Sequence, residues 1–421
     1  MNRARTLLLA LGLILCSALM AEFTLRIIRP DSLQYYYDLK RLHAYHPDYL
    51  VALAPNEDRI IKHHLGLWEG RFTTNSLGYR GSKELDGRPV LACLGDSLVM
   101  GFGVSDEGTF CARLDGTILA GKSNQAMNLG VDAFGSVGFQ KRLTEAANKI
   151  KLSTVLLFIS PNDFTMPPEL AQRGVRSDDV IDQERRDHPE LLRFFRIQFE
   201  LTRISYLLHA SKLSSEQLIL ESHIKRASIR NSMIQAGLIS PREGDSARPL
   251  GFRKYLTSQF YSFPAHKTCE PEQQVNQVIS CPEPVPAYIR CQERLPLASE
   301  LPPLPDITQE SYLKMIELSK EKKFNLVPVF LPAQVEEIYC GMYDKSHDLH
   351  DYAVRAQAFF KQHGIRYLEM SNHVKDICGL EKKAVRDQVI PGDGHFTDSG
   401  NLWIANALKA ELKKMEASGA F

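Results

Sequence analysis

Arg88-Pro89-Val90-Leu91-Ala92-Cys93-Leu94-Gly95-Asp96-Ser97-Leu98-Val99-Met100-Gly101-Phe102-Gly103-Val104 places a serine directly behind a short, unbroken apolar run. Residues 90–94 are too few for a helix and are closed by glycine, which predicts a buried strand. Beyond Ser97, Phe110, Leu114 and Ile118 recur at helical spacing, which predicts a helix over 109–119. Ser97 then stands where a strand hands over to a helix, the edge at which open α/β sheets bind ligands. The same position also suits a serine that merely caps a turn.

The pattern repeats downstream. Residues 126–131 read as a second strand leading into Asp132-Ala133-Phe134-Gly135-Ser136, 137–150 as a helix, and 154–160 as a fully apolar strand ending in Pro161-Asn162-Asp163. Strand, helix, strand, helix, strand is the signature of a parallel sheet wound by right-handed crossovers. The alternation stops for about 140 residues, too long for a plain loop, which predicts an inserted cap over 166–305. It resumes at Asp306, whose side chain with Gln309 forms an expected capping box for a helix through Lys322. Strands over 325–331 and 365–369, a helix over 347–363 and a last helix over 397–416 complete an α/β sandwich with a five-stranded sheet.

The amino terminus is different in kind. Arg3 and Arg5 precede the uncharged apolar run 7–21, a pattern shared by a signal anchor and a cleaved signal peptide. No clean small-x-small cleavage site follows, and residues 23–28 extend the run, so residues 1–30 are read as an uncleaved anchor that leaves the rest of the chain exported. Residues 31–89 form a membrane-proximal lead-in whose Tyr35-Tyr36-Tyr37 and His46-Pro47-Asp48-Tyr49-Leu50 suit either a headgroup zone or the cover of a core. The catalytic-type pattern is then split between 90–165 and 306–421. Of the eight cysteines, Cys93 is expected as a small buried thiol inside its strand. Cys111, Cys269, Cys281, Cys291, Cys340 and Cys378 could form three disulfides of undetermined pairing, in keeping with export. No C-x-x-C or neighbouring His pair calls for a metal, and no motif calls for a cofactor. The formal net charge of +1 gives no broad field for nucleic acid or another polyanion.

Ser97, Asn162 and the Asp393/His395 pair all fall at strand ends or in the loop before the last helix. A serine hydroxyl needs a base, and the base needs a group that holds its tautomer. His395 suits the first role and Asp393 the second, while the Ser97 N–H, an N–H after the second strand and the Asn162 side chain suit an oxyanion. These residues resemble the GDSL/SGNH hydrolases: Gly95-Asp96-Ser97-Leu98 matches the nucleophile block, Asn162-Asp163 the block with the oxyanion asparagine, and Asp393/His395 the carboxyl-terminal block. Ala133 stands where the family has an oxyanion glycine, Ser160 stands for a second glycine, and one residue instead of two separates Asp393 from His395. The anchor and Thr74-Asn75-Ser76-Leu77-Gly78-Tyr79-Arg80-Gly81 look similar to bacterial membrane-anchored members. The resemblance implies an SGNH-like, flavodoxin-like winding and a single-pass inner-membrane protein facing the periplasm. It also implies removal of short acyl groups, acetyl first, from an envelope glycan or a lipid. An acyltransferase using the same acyl-enzyme, or a glycan-binding scaffold without catalysis, are the competing expectations.

Overall fold

A computed structural model describes residues 3–64, 66–132, 135–160, 187, 190–215, 281–332, 334–390 and 394–419. Helix α1 (Arg3–Ile28) is long and apolar enough to cross a membrane, and none of its apolar window is covered by the rest of the chain. Two residues later α2 (Asp31–Leu42) begins. It leads into two antiparallel hairpins, β1 (His43–His46) with β2 (Leu50–Leu53) and β3 (Asp58–Lys62) with β4 (Glu69–Thr73). Tyr35 and Tyr37 of α2 are buried, so this part of the lead-in covers core.

The central sheet starts with β5 (Val90–Leu94), followed by the four-residue helix α3 (Ser97–Met100). After it come a small hairpin of β6 (Ile118–Leu119) and β7 (Lys122–Ser123), then β8 (Gln125–Asn128), α4 (Ser136–Lys149) and β9 (Leu152–Ile159). Helix α5 (Glu190–Ile204) and helical residues 206–215 (α6) are the described elements in the first half of the 166–305 interval. The second half of the sheet runs α7 (Asp306–Lys322), β10 (Asn325–Phe330), α8 (Val335–Gly341), α9 (Asp351–Gln362), β11 (Leu368–Glu369) and α10 (Asp398–Ala417).

All five sheet strands are parallel, in the spatial order β8-β5-β9-β10-β11. In chain order this is 2-1-3-4-5, the order of a flavodoxin-like doubly wound sheet. Successive side chains of a strand face opposite layers. Ala92 and Leu94 therefore join Phe139 and Leu143 of α4 and Tyr312 and Met315 of α7, while Leu91 and Cys93 join Trp403, Ile404 and Leu408 of α10. Helices thus cover both faces, giving a three-layer α/β sandwich. The first of these cores also takes in Tyr35, Leu42, Leu53, Ile61, Trp68 and Phe72, so the lead-in and the sheet share one interior.

Several expectations are corrected. The helix expected over 109–119 is two 3-10 turns, Asp106–Gly108 and Ala112–Leu114, followed by β6. Phe110 and Leu114 are fully buried without it, because left-handed Gly116 (φ 79°) turns the chain towards β6. Asp306 is the first helical residue after Pro305, and Gln309 donates to the Leu304 carbonyl, so the capping box does not form. The strand expected over 365–369 shrinks to two residues, and the helix over 347–363 begins as a 3-10 turn. Cys93 is not a thiol: it pairs with Cys111, joining the central strand to the turn after Ser97. Cys281–Cys378 and Cys291–Cys340 staple the end of the 166–305 interval to the carboxyl-terminal half. Cys269 lies outside the described residues, and Cys16 is an exposed thiol on α1. The disulfides fit an extracytoplasmic domain.

Candidate active site

At the end of β5 the chain must reverse within two residues. A Cβ on Gly95 would overlap the Val99 side chain and sit 3.1 Å from Phe158 Cβ, so glycine is required by space. Asp96 is the N-cap of α3: its carboxylate accepts from the Leu98 N–H at 2.9 Å, and its carbonyl accepts from Met100 N at 2.9 Å. Asp96 is buried in this role, and Ser97, the next residue, is partly exposed.

His395 reaches Ser97 from the other end of the chain. Its loop is a narrow double strand: Thr397 N donates to Gln388 O at 3.0 Å, Ile390 N to His395 O at 2.7 Å, and Val389 bridges Phe396. Gly394 adopts a φ of 85° to close the loop. Thr397 caps α10 through the Gly400 N–H at 3.2 Å, and Gly400 is pressed so closely on the Gln388 carbonyl that a Cβ there would overlap it. The result places His395 Nε2 2.8 Å from Ser97 Oγ, across 298 residues of sequence. The Phe102 ring stacks on the imidazole, with centroids 5.0 Å apart and planes at 28°. A hydroxyl within hydrogen-bond reach of an imidazole is the arrangement in which histidine can take the proton as the oxygen attacks.

Of the sequence-predicted site residues, the structure brings together Ser97 and His395. Asp393, Asn162 and Ala133 lie outside the described residues. Several further residues hold the site together, in roles that the sequence alone did not assign. Arg80 is buried and donates to the Met100 carbonyl at 3.1 Å, to the Val104 carbonyl at 2.8 Å and to Asp106 Oδ1 at 2.5 Å. Its guanidinium lies 3.6 Å above the Phe72 ring. It thereby fixes the chain on the far side of α3, just as Asp96 fixes the near side. Arg142 of α4, also buried, donates to the Leu129 carbonyl and to the Gly78 carbonyl, each at 2.9 Å. The Asn128 side chain donates to Val99 O at 2.7 Å and accepts from Gly130 N at 2.9 Å. A Cβ on Gly130 would overlap Met100 N and stand 2.8 Å from the Val99 carbonyl carbon, so the loop after β8 lies directly on α3.

Asp132, at the end of that loop, is hydrogen-bonded to buried His43 of β1. Burial opposes its ionisation, but the charge and hydrogen bond of His43 outweigh it and hold the carboxyl below the ordinary range, with a smaller contribution from His395. The lead-in therefore supplies a partner to a carboxylate within electrostatic range of the imidazole. A cavity of ≈ 570 Å³ beside Arg80, lined by Asp58, Arg71, Thr73, Lys83 and Asp106, does not include Ser97 or His395. Among the described residues no group of three or more His, Cys, Asp or Glu side chains is gathered as a metal site. Searches against models of protein families and against curated proteins return no match for the chain.

Proposed function

We propose that the chain is a membrane-anchored, extracytoplasmic serine esterase that removes short acyl groups, acetyl first, from a cell-envelope glycan. The 2.8 Å contact between Ser97 Oγ and His395 Nε2 carries this reading. Such a dyad assembled at the carboxyl edge of a parallel sheet also supports the resemblance to GDSL/SGNH hydrolases. Ser97 Oγ attacks the acyl carbonyl while His395 Nε2 takes its proton. The carbonyl oxygen becomes an oxyanion, assigned to the Ser97 N–H, the Asn162 side chain and the Ala133 N–H. Collapse breaks the ester C–O bond, and the imidazolium returns the proton to the departing sugar hydroxyl. Water, deprotonated by His395, then attacks the acyl-serine, releasing the carboxylic acid and restoring Ser97. Asp393 is assigned to orient the imidazole. Helix α1 and the three disulfides support a site held close to the envelope on the oxidising side.

The test is p-nitrophenyl acetate turnover and labelling by a fluorophosphonate, for the wild-type chain and Ser97→Ala. Loss of about a thousandfold or more in kcat, together with loss of labelling, is the expected result. Turnover or labelling that survives in Ser97→Ala overturns the reading. Acyl transfer to an added sugar acceptor in place of release to water assigns the acyltransferase chemistry to the same serine.

A further inference from the structure

Helices α5 and α6 have two faces that differ sharply. Phe199, Thr202, Tyr206 and His209 are buried against the lead-in, where Lys40 stands 3.4 Å above the Phe199 ring. On the other side Phe194, Ile197, Leu201, Ile204 and Leu208 recur every three or four residues and are all exposed, Phe194 at 70% and Ile204 at 62%. An apolar stripe of this length on a helix surface needs a cover.

The end of α1 identifies the cover. Arg5 and Arg26 are separated by about 30 Å of helix, the thickness of a bilayer's hydrocarbon core, which sets Arg26 and Arg29 at the headgroups. At that level α1 is joined to the stripe. Arg26 donates to the Ile204 carbonyl at 2.7 Å, and Glu22 accepts from Ser205 Oγ, Tyr206 N and Leu207 N at 2.8–3.1 Å. Leu25 packs with Leu33, Tyr37 and Tyr206. The stripe is therefore fastened to the end of α1, where Phe23, Ile27 and Ile28 are also exposed.

A second observation at the same level points to a charged ligand. A cavity of ≈ 290 Å³ opens between α1, α2 and α6 and is lined by Arg26, Arg29, Arg41 and Arg59, with Asp38 and Tyr206. Gln34 donates to Asp38 at 2.6 Å, Glu57 pairs with Arg59 at 2.6 Å, and Arg26 pairs with Glu22 at 2.7 Å. The positive charge exceeds the negative, and Arg41 Nε and Arg59 Nε are buried with no hydrogen-bond partner among the described residues. Buried donors of this kind are costly unless an acceptor arrives.

We propose that this face is a second membrane contact: the α5–α6 stripe enters the leaflet at the carboxyl end of α1, and the arginine cavity holds the phosphate of an anionic phospholipid headgroup. Interfacial helices bind in this way, by apolar burial combined with attraction to anionic lipid. The proposal rests on α1 crossing a bilayer, and it is independent of the esterase reading.

The two tryptophans of the chain, Trp68 and Trp403, are buried, so an Ile197→Trp variant reports on the stripe. The full-length variant is placed in nanodiscs of brominated phosphatidylcholine with or without phosphatidylglycerol. Its added emission is expected to fall by about half or more, as for an indole seated within about 10 Å of the headgroup boundary, and to fall further when phosphatidylglycerol is present. Arg41→Gln with Arg59→Gln removes the phosphatidylglycerol increment, and Arg41→Lys with Arg59→Lys retains it, which separates loss of charge from loss of fold. Excess inorganic phosphate leaves the increment unchanged. Emission untouched by brominated lipid, as for a stripe covered by another protein, overturns the proposal, and so does quenching equal in both bilayers. A chain that fails to co-elute with nanodiscs overturns the anchor and the proposal with it.

Discussion

Ser97 and His395 meet because each is held in place by its neighbours. Asp96 caps the turn on one side, and the Gln388–Thr397 ladder grips the other. Phe102 adds a third restraint by stacking on the imidazole. A Phe102→Leu variant keeps the apolar cover but loses the flat face. It is expected to lower kcat by about 10- to 100-fold with little change in KM, as a small misplacement of a base does, with the melting temperature checking that the fold persists. The meeting of Ser97 and His395 was legible in the sequence because each carries local punctuation, a glycine-closed strand before Ser97 and a glycine turn before His395. Phe102, His43 and Arg80 were not legible in this way. Phe102 and His43 meet partners far away in sequence, His395 and Asp132, and most partners of Arg80 are backbone carbonyls, which have no residue identity to read. Cys93 was misread for a related reason, since an apolar strand position does not reveal a partner 18 residues later.

Among the elements, the four-residue α3 is too short to stand alone and takes its position from the loop after β8 and from Arg80. Gly130→Ala sets a methyl against the α3 backbone, which cannot yield as a side chain would. A cost of about 1–3 kcal/mol in urea unfolding is expected, with esterase turnover falling further than stability does. Arg80→Met removes the hydrogen bonds to the Met100, Val104 and Arg71 carbonyls and leaves Asp106 without its ion-pair partner. The expected cost is about 3–5 kcal/mol, read from the same unfolding curves. The sheet was legible through its apolar runs, and the parallel sense of its strands through their alternation with helices; the order of the strands was not written in that alternation. The 109–119 segment was misread because Phe110 and Leu114 satisfy helical spacing equally well from two tight turns. Most of the inserted interval and three of the five predicted site residues, Asp393, Asn162 and Ala133, lie outside the described residues.

At the scale of the whole molecule, stability depends on buried charge as well as on the two apolar layers. His350 lies between Glu337 Oε1 at 2.7 Å and Glu369 Oε2 at 3.0 Å. Burial opposes its charge, but Glu369 and the two hydrogen bonds push its pKa up to about 10 from an ordinary 6.5. Its contribution is therefore complete below pH 6.5 and is lost as pH rises through about 10. Glu369 and Asp132 are shifted the other way: burial raises both, but His350 and His43 respectively hold them below the ordinary carboxylate range. Their contributions are present above that range and disappear as pH falls through the lowered values. Urea midpoints are expected to be highest in a plateau at about pH 5–6.5 and to decline on both sides. His350→Gln is expected to lower the plateau and flatten the alkaline limb, and an unchanged alkaline limb would show that another group sets it. The junction of α1 and α2 bears on how such a molecule would work. Only Arg29 and Pro30 separate Ile28 from Asp31, so the domain has no leash. In a bilayer it would turn and drift with its anchor as one body, its serine held at a fixed height. Its encounters would then be a search in two dimensions, limited to whatever passes within that height.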